Sequence, residues 1–322
     1  MKALITGICG FVGGHLTRLL LSKGYEVAGL DSGERGSAID LGAKEVKILK
    51  GDLRDEDVVS KAITEFKPDT VFHLAAHSSV KLSFENPIET FSANLIATLV
   101  LLETLSKFDA PVKTLVISSS EVYGRLEPEE CPVTEDHPLK PINPYAVSKA
   151  SVDLLAHQYF MAYKMPVYIA RAFSHSGPGQ KTVAVLSDWA FQIAKIDLGL
   201  TPPQLKVGNT SVQRDYTDVR DVVKAYLDIV EKGKAGTPYN VCSGKGYKLL
   251  DLLDKYRSLI KKDVEIRSDK SRMRPVDIPI LIGSYEKLSA DTGWKPTIPI
   301  ETTLSDSLKF WHHHLVEEVE EN

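Results

Sequence analysis

The sequence predicts an α/β fold built on a mainly parallel sheet, and three observations predict it. Short β-branched apolar runs alternate with longer segments of helical period through the first half of the chain. A glycine triplet, Gly7-x-x-Gly10-x-x-Gly13, stands between the first apolar run and the first helical segment. With 322 residues, 43% of them hydrophobic and 25% charged, the chain can enclose a large core.

In order, the candidate strands are Ala3–Thr6, Glu26–Leu30, Glu45–Lys50, Thr70–Leu74, Thr114–Ser118 and Val167–Arg171. Between them, Gly13–Lys23, Glu56–Phe66, Ile88–Phe108 and Tyr145–Tyr163 carry apolar residues at helical spacing. Such alternation calls for right-handed crossovers and a parallel sheet covered on both faces. After Arg171 the rhythm breaks. Residues 174–213 are rich in Gly, Pro and Thr around one helical stretch, Val185–Leu198. A strand-like Tyr239–Val241, a helix near Leu249–Ile260, a basic loop Arg267–Arg274 and a last helix Glu301–Val319 follow. Residues 1–173, rejoined by 214–243, read as one domain, and 174–213 with 244–322 as a smaller lobe. The adjacent His312, His313 and His314 suit either a metal site or a solvated helix end.

Composition excludes some functions. A net charge of −4 without a basic cluster gives a nucleic acid nothing to hold. Cys9, Cys131 and Cys242 stand far apart without a CxxC, which signals neither a disulfide framework nor a zinc knuckle and suits the cytoplasm. The N-terminal MKALITGICGFVGGHL is too broken by glycine for a signal peptide, and no run reaches the roughly 18 apolar residues of a membrane span.

The glycine triplet has a physical reading. Gly7 permits a tight turn, Gly10 a close approach of backbone to a pyrophosphate, and Gly13 close helix–sheet packing, with the phosphates at a helix N-terminus. That is the Rossmann dinucleotide fingerprint, although a glycine-rich turn can be purely structural. Asp31 closes the second strand, where an acid accepts from an adenosine 2′-OH and repels a 2′-phosphate. This favours NAD over NADP, while Arg35 offers the opposite pairing. Asp52, in GDLRD, suits either the adenine amino group or the cap of the helix near Glu56.

Among the twelve tyrosines, only Tyr145 has a lysine four residues on, Lys149. Asn143-Pro144 signals a helix start, so both side chains share one face. A neighbouring ammonium is expected to lower the phenol pKa and make Tyr145 a usable acid or base. Upstream, a strand ends in Ser118-Ser119-Ser120-Glu121-Val122-Tyr123-Gly124, at the edge where open α/β sheets bind ligands. A hydroxyl there can hold a carbonyl oxygen against the phenol. No G-x-S-x-G elbow supports a serine hydrolase.

Together, TGICGFVGGHL, GDLRD, FHLAA, SSSEVYG, NPYAVSK and RDYTDVRDVV resemble, in order and over essentially the whole chain, the extended short-chain dehydrogenase/reductase family. The resemblance implies a Rossmann-type parallel sheet, a smaller C-terminal nucleotide-sugar-binding lobe, an NAD or NADP cofactor, and a homodimer formed through a four-helix bundle. It carries a catalytic triad onto Ser119, Tyr145 and Lys149, with Asn94 in support. Cofactor contacts fall on Gly7, Gly10, Phe11, Val12, Gly13, Asp31, Asp52, Leu53, Leu74, Ala75, Ala76, Asn94 and Lys149.

Within the family, SSVKLSFENP, HSGPGQ, YNVCSGKG, RPVDIPILIGS and TGWKP are similar to members that reduce GDP-linked 4-keto-6-deoxy-hexoses. This implies substrate contacts at Ser83, Ser120, Arg214 and Arg274, the arginines gripping the diphosphate. Two positions depart from the pattern: Ser174 replaces a usual Asn, and Glu121 falls where 4,6-dehydratases keep an active-site acid. An RRGE-like loop of the GDP-mannose dehydratases is missing. The expected activity is 4-keto reduction, with GDP-mannose 4,6-dehydration and 4-epimerisation as alternatives. A catalytically silent nucleotide-binding regulator would show a broken triad, and this triad is intact.

Overall fold

The computed structural model describes residues 1–33, 46–273 and 276–320. The first half runs β1 (Lys2–Thr6), α1 (Phe11–Ser22), β2 (Glu26–Asp31), β3 (Lys47–Lys50), α2 (Glu56–Phe66), β4 (Thr70–His73), α3 (Val80–Glu85), α4 (Pro87–Phe91), α5 (Ala97–Ser106), β5 (Lys113–Ser119), α6 (Pro144–Tyr163) and β6 (Val167–Ala172). The second half runs β7 (Ser174–Ser176), α7 (Val185–Asp197), β8 (Gln204–Val207), β9 (Gln213–Asp218), α8 (Val219–Lys232), β10 (Pro238–Val241), β11 (Gly246–Lys248), α9 (Leu249–Ser258), β12 (Glu265–Ser268), β13 (Ile280–Leu281), α10 (Glu286–Thr292) and α11 (Ile300–Glu320).

Seven strands form one parallel sheet in the order β10-β6-β5-β4-β1-β2-β3. Every residue of β4 and β6 is buried, as a strand covered on both faces requires. One face packs on α1 and α8 through Leu16, Leu20, Val222 and Tyr226. The other packs on α2, α5 and α6 through Ile63, Leu101, Val152 and Tyr159. The chain winds outward from β1 to β3 and then returns to lay β4 beside β1, so strand order reverses there. Ligands of open α/β sheets bind beyond the strand ends at such a reversal.

Helix boundaries follow local chemistry. Asn143 caps α6 by accepting from Ala146 N, with Pro144 in the first turn. The start of α2 is capped by Asp55, which accepts from Asp57 N and Val58 N. That corrects the capping role considered for Asp52. The stretch Pro87–Ser106 is, by length and composition, apolar enough to cross a membrane, contrary to the sequence reading. Here its C-terminal half packs into the core through Ala97, Leu101, Leu102 and Leu105.

The remaining strands make a small sheet, β11-β9-β13 with β7 beside β9, and a parallel pair, β12-β8. They pack with α7, α9 and α11 around Trp189, Leu205, Tyr256 and Leu304. Several of these strands sit in stretches read from sequence as loop. QLKV and EIRS are too short and polar to declare themselves, and they are strands because each pairs with the other. The tail histidines meet separate partners: His312 lies 3.3 Å from Asp197 and His313 3.1 Å from Glu317, while His314 packs on Phe310 and Trp311.

Candidate active site

The turn after β1 is built on glycine by necessity. Gly7 has φ +74, and a Cβ there would lie 2.8 Å from Ala75 N, at the end of β4. A Cβ on Gly13 would sit 2.5 Å from Gly7 O, so this glycine lets the helix approach the turn. Gly10 is exposed, and its Cβ would meet only Gly7 O, at 3.1 Å. No side chain caps α1, so the N–H groups of its first turn face the strand reversal without a protein cap. This cradle fits a dinucleotide pyrophosphate. Phe11 and Val12 open the helix, half buried, and Leu74, Ala75 and Ala76 form a half-buried ledge just past β4.

Asp31 does more than close β2. One carboxylate oxygen accepts from Cys9 N and the other from Gly33 N, both at 2.9 Å, so the acid holds the glycine loop in place. Asp52 pairs with Arg54, which holds its carboxyl below the usual range and which also bonds Glu89 at 3.0 Å. Leu53 beside it is buried. Arg35 and Arg274 lie outside the described residues.

At the carboxyl end of β5, the Ser119 side chain adjoins the Tyr145 phenol and favours its ionised form. Lys149 shares the face of α6 with Tyr145, is itself buried, and donates to Ile117 O at 2.8 Å. Burial pulls Lys149 down to about 8 from an ordinary 10.5. The expected lowering of the phenol is corrected here. Burial raises Tyr145 to about 12, with Ser119 opposing and the Glu121 charge adding to the rise. The Lys149 ammonium is engaged by Ile117 O instead.

Asn94 lies in a π-helical turn, Ser92–Ile96, between α4 and α5. It accepts from His77 N at 2.7 Å and donates to Ser148 Oγ at 2.9 Å, tying the ledge after β4 to α6. Ser120 is buried in the short helical turn that follows β5. Ser83 departs from its expected substrate contact: it is fully buried and its hydroxyl donates to Val80 O at 2.7 Å, within its own helix. Arg214, expected to grip a diphosphate, is a buried partner of Asp277 at 2.9 Å. Ser174 sits on β7 opposite Tyr216.

Several residues escaped sequence reasoning. His73, at the end of β4, bonds Thr6 at 2.8 Å and Thr98 at 2.9 Å. Asp215 holds the Ser243, Gly244 and Gly283 amides, and burial raises it to about 6. Arg171 forms a buried pair with Asp153 at 2.8 Å and reaches Tyr123 at 3.1 Å. The available signals were the histidine of FHLAA, at the end of a strand, and an acid one turn after Lys149, and neither residue type singles out a role by itself.

Comparison with known proteins places this geometry. The family model for GDP-mannose 4,6 dehydratase matches residues 4–307. GDP-6-deoxy-D-mannose reductase of Pseudomonas aeruginosa is 36% identical over 98% of this chain and 99% of that protein. The structure of RMD from Pseudomonas aeruginosa complexed with NADPH superposes with TM-score 0.86 at 35% identity, covering 97% of this chain and 99% of that one. UDP-glucose 4-epimerase from Thermus thermophilus, in complex with NAD, gives TM-score 0.86 at 30% identity over 97% and 99%. The Gly-rich turn at the strand reversal, the Ser119–Tyr145–Lys149 cluster and this end-to-end similarity lead to one conclusion: the chain belongs to the GDP-mannose 4,6-dehydratase family of extended short-chain dehydrogenase/reductases.

Proposed function

We propose that this protein reduces the 4-keto group of a GDP-linked 4-keto-6-deoxy-hexose with a reduced nicotinamide dinucleotide. The observation that carries the redox chemistry is the buried phenol of Tyr145, set beside Ser119 and one helical turn from Lys149. The choice of reduction rests on the full-length similarity to the Pseudomonas aeruginosa reductase.

Gly7, Gly10 and Gly13 would hold the pyrophosphate, Asp31 and Asp52 the adenosine half, and Lys149 the nicotinamide ribose. When bound, the cofactor supplies the hydride that reaches C4. Tyr145 delivers its hydroxyl proton to the sugar oxygen, and Ser119 holds that oxygen in line. Lys149 is mostly cationic at neutral pH and stabilises the tyrosinate left behind. Each turnover consumes one hydride and one proton, the latter restored from solvent.

Asp31 favours NADH, whereas the Pseudomonas aeruginosa structure holds NADPH, so the family fold serves both. Arg214 and Arg274 would bind the diphosphate, with Arg214 exchanging Asp277 for phosphate. Ile88, Leu154 and Met161 expose large apolar side chains on α4 and α6, which supports a homodimer joined through these helices. The scattered cysteines suit the cytoplasm.

Glu121 favours one second reading, GDP-mannose 4,6-dehydration, because its charge bears on Tyr145. The test is to offer the protein GDP-4-keto-6-deoxy-mannose with NADH or NADPH and, separately, GDP-mannose with the oxidised cofactors. Reduction of the keto-sugar alone supports the proposal. Keto product from GDP-mannose, with the keto-sugar untouched, replaces it with the dehydratase.

A further inference from the structure

A chain of buried hydrogen bonds, carried across by the body of Asn94, runs from the ends of β1 and β4 to the helix that bears Tyr145. Thr6 and His73 are register partners at the carboxyl ends of β1 and β4, the two strands that flank the reversal. Their contact, Thr6 Oγ1 to His73 Nδ1, is 2.8 Å, and on the other side His73 Nε2 lies 2.9 Å from Thr98 Oγ1, all of it buried.

Proton counting fixes every direction. The single hydroxyl proton of Thr98 goes to Asn94 O at 2.6 Å. Thr98 can therefore only accept from the ring, and Nε2 carries the hydrogen. Nδ1 of the neutral ring is then an acceptor for the Thr6 hydroxyl, whose oxygen accepts from Ala75 N at 3.4 Å. Beyond Asn94, Nδ2 donates to Ser148 Oγ at 2.9 Å, and Ser148 donates to Tyr145 O at 2.7 Å. Burial, with the Lys149 charge adding to it, lowers His73 to about 3, so the ring is neutral wherever the enzyme works.

We infer that His73 is a positioning residue that couples the cofactor turn to the catalytic helix. Through Thr6 it sets Ala75, against which Gly7 packs. Through Thr98 and Asn94 it sets Ser148 and the backbone of Tyr145. A hydride donor resting on the first and a proton donor carried by the second must hold a fixed spacing, and a directed chain of buried hydrogen bonds has only one register in which to do so. The inference rests on the redox reading of Tyr145 and on nothing about the sugar.

Turnover and a spectroscopic signature test it separately. Thr98→Ser keeps the acceptor and should stay within about threefold of wild type, whereas Thr98→Val should lower kcat about tenfold or more with KM nearly unchanged. The double variant Thr98→Val/Ser148→Ala should be within about threefold of the worse single variant, because both break one chain. Losses that multiply, or a Thr98→Val kcat equal to wild type, overturn the coupling. Nitrogen-15 NMR of wild-type His73 should show one neutral Nε2–H tautomer from about pH 5 to about pH 8. An Nδ1-protonated or charged ring in that range overturns the directed chain, even where a variant fails to fold. If wild type leaves GDP-4-keto-6-deoxy-mannose untouched, the proposed reaction fails by itself, and the tautomer still decides the chain.

Discussion

Asn143 Nδ2 donates to Glu121 Oε2 at 3.0 Å, so the carboxylate two residues after Ser119 is tethered to the cap of the helix that carries Tyr145. Dehydration needs a base to remove the C5 proton, whereas reduction needs only hydride and a proton at C4. Glu121→Gln keeps an amide oxygen for Asn143 and removes the charge that helps raise Tyr145. The variant should retain at least about a tenth of keto-sugar reduction, a barrier change of about 1.4 kcal/mol or less. Any side activity on GDP-mannose should vanish. Cofactor oxidation and keto-product formation, measured separately, check both halves.

Tyr145→Phe removes the proposed proton donor and leaves Lys149 and the glycine turn in place. Turnover should fall by about 10²–10⁴-fold, while cofactor affinity stays within about twofold. Tryptophan quenching by the reduced cofactor reads the affinity. Turnover near that of wild type would assign the proton to another group.

In the proposed reaction Lys149 should set the pH dependence. Burial lowers it to about 8, so it is cationic below that pH and neutral above. Reduction should therefore slow as pH rises through about 8, because the uncharged amine no longer stabilises the tyrosinate. Lys149→Arg, charged throughout, should be slower at its best and lack that limb. The unfolded chain keeps this proton up to about 10.5, and so binds more protons than the folded one between about 8 and 10.5. This residue's contribution to stability accordingly increases with pH across that window. A rate limb at the same pH in Lys149→Arg would contradict the assignment.

Beyond holding the glycine loop, Asp31 is proposed to read the cofactor ribose. Asp31→Ala removes the acceptor for Cys9 N and Gly33 N as well as the charge that opposes a 2′-phosphate. It should weaken binding of both cofactors and yet raise the NADPH-to-NADH ratio of kcat/KM. If both constants change by the same factor, Asp31 acts on the loop alone.

The buried Arg171–Asp153 pair should matter to folding more than to chemistry. Asp153→Ala strands a guanidinium in the interior and should cost about 3–5 kcal/mol in denaturant unfolding. Asp153→Asn, which keeps an acceptor for Arg171 Nε, should cost less. Equal losses would show that the charge, rather than the hydrogen bond, is what Arg171 requires.

Strands β1 to β6 and helices α1, α2, α5 and α6 were legible from the sequence because buried parallel strands read as apolar runs and their helices as periodic ones, whereas the short α3 was not. Helical spacing put Tyr145 and Lys149 on one face, whereas the strand end offered three serines and only the family resemblance singled out Ser119. What stayed hidden depends on distant partners. β8 and β12 exist only as a pair some sixty residues apart in the chain. Asp55 rather than Asp52 caps α2 because it directly precedes Glu56, while Asp52 stands too far upstream to reach the first turn and pairs with Arg54. The phenol of Tyr145 rises instead of falling because burial, with the Glu121 charge adding to it, outweighs the lowering effect of Ser119, and spacing along the chain shows neither.

Hydride transfer to the sugar is the central claim, and isotope labelling tests it most directly. The protein is given GDP-4-keto-6-deoxy-mannose with reduced cofactor deuterated at the transferable nicotinamide position, and the sugar product is read by mass spectrometry and NMR. One deuterium at C4 of a GDP-6-deoxy-hexose, formed in step with cofactor oxidation, is the expected result. Unlabelled sugar, or no cofactor oxidation while GDP-mannose loses water under the same conditions, would contradict it.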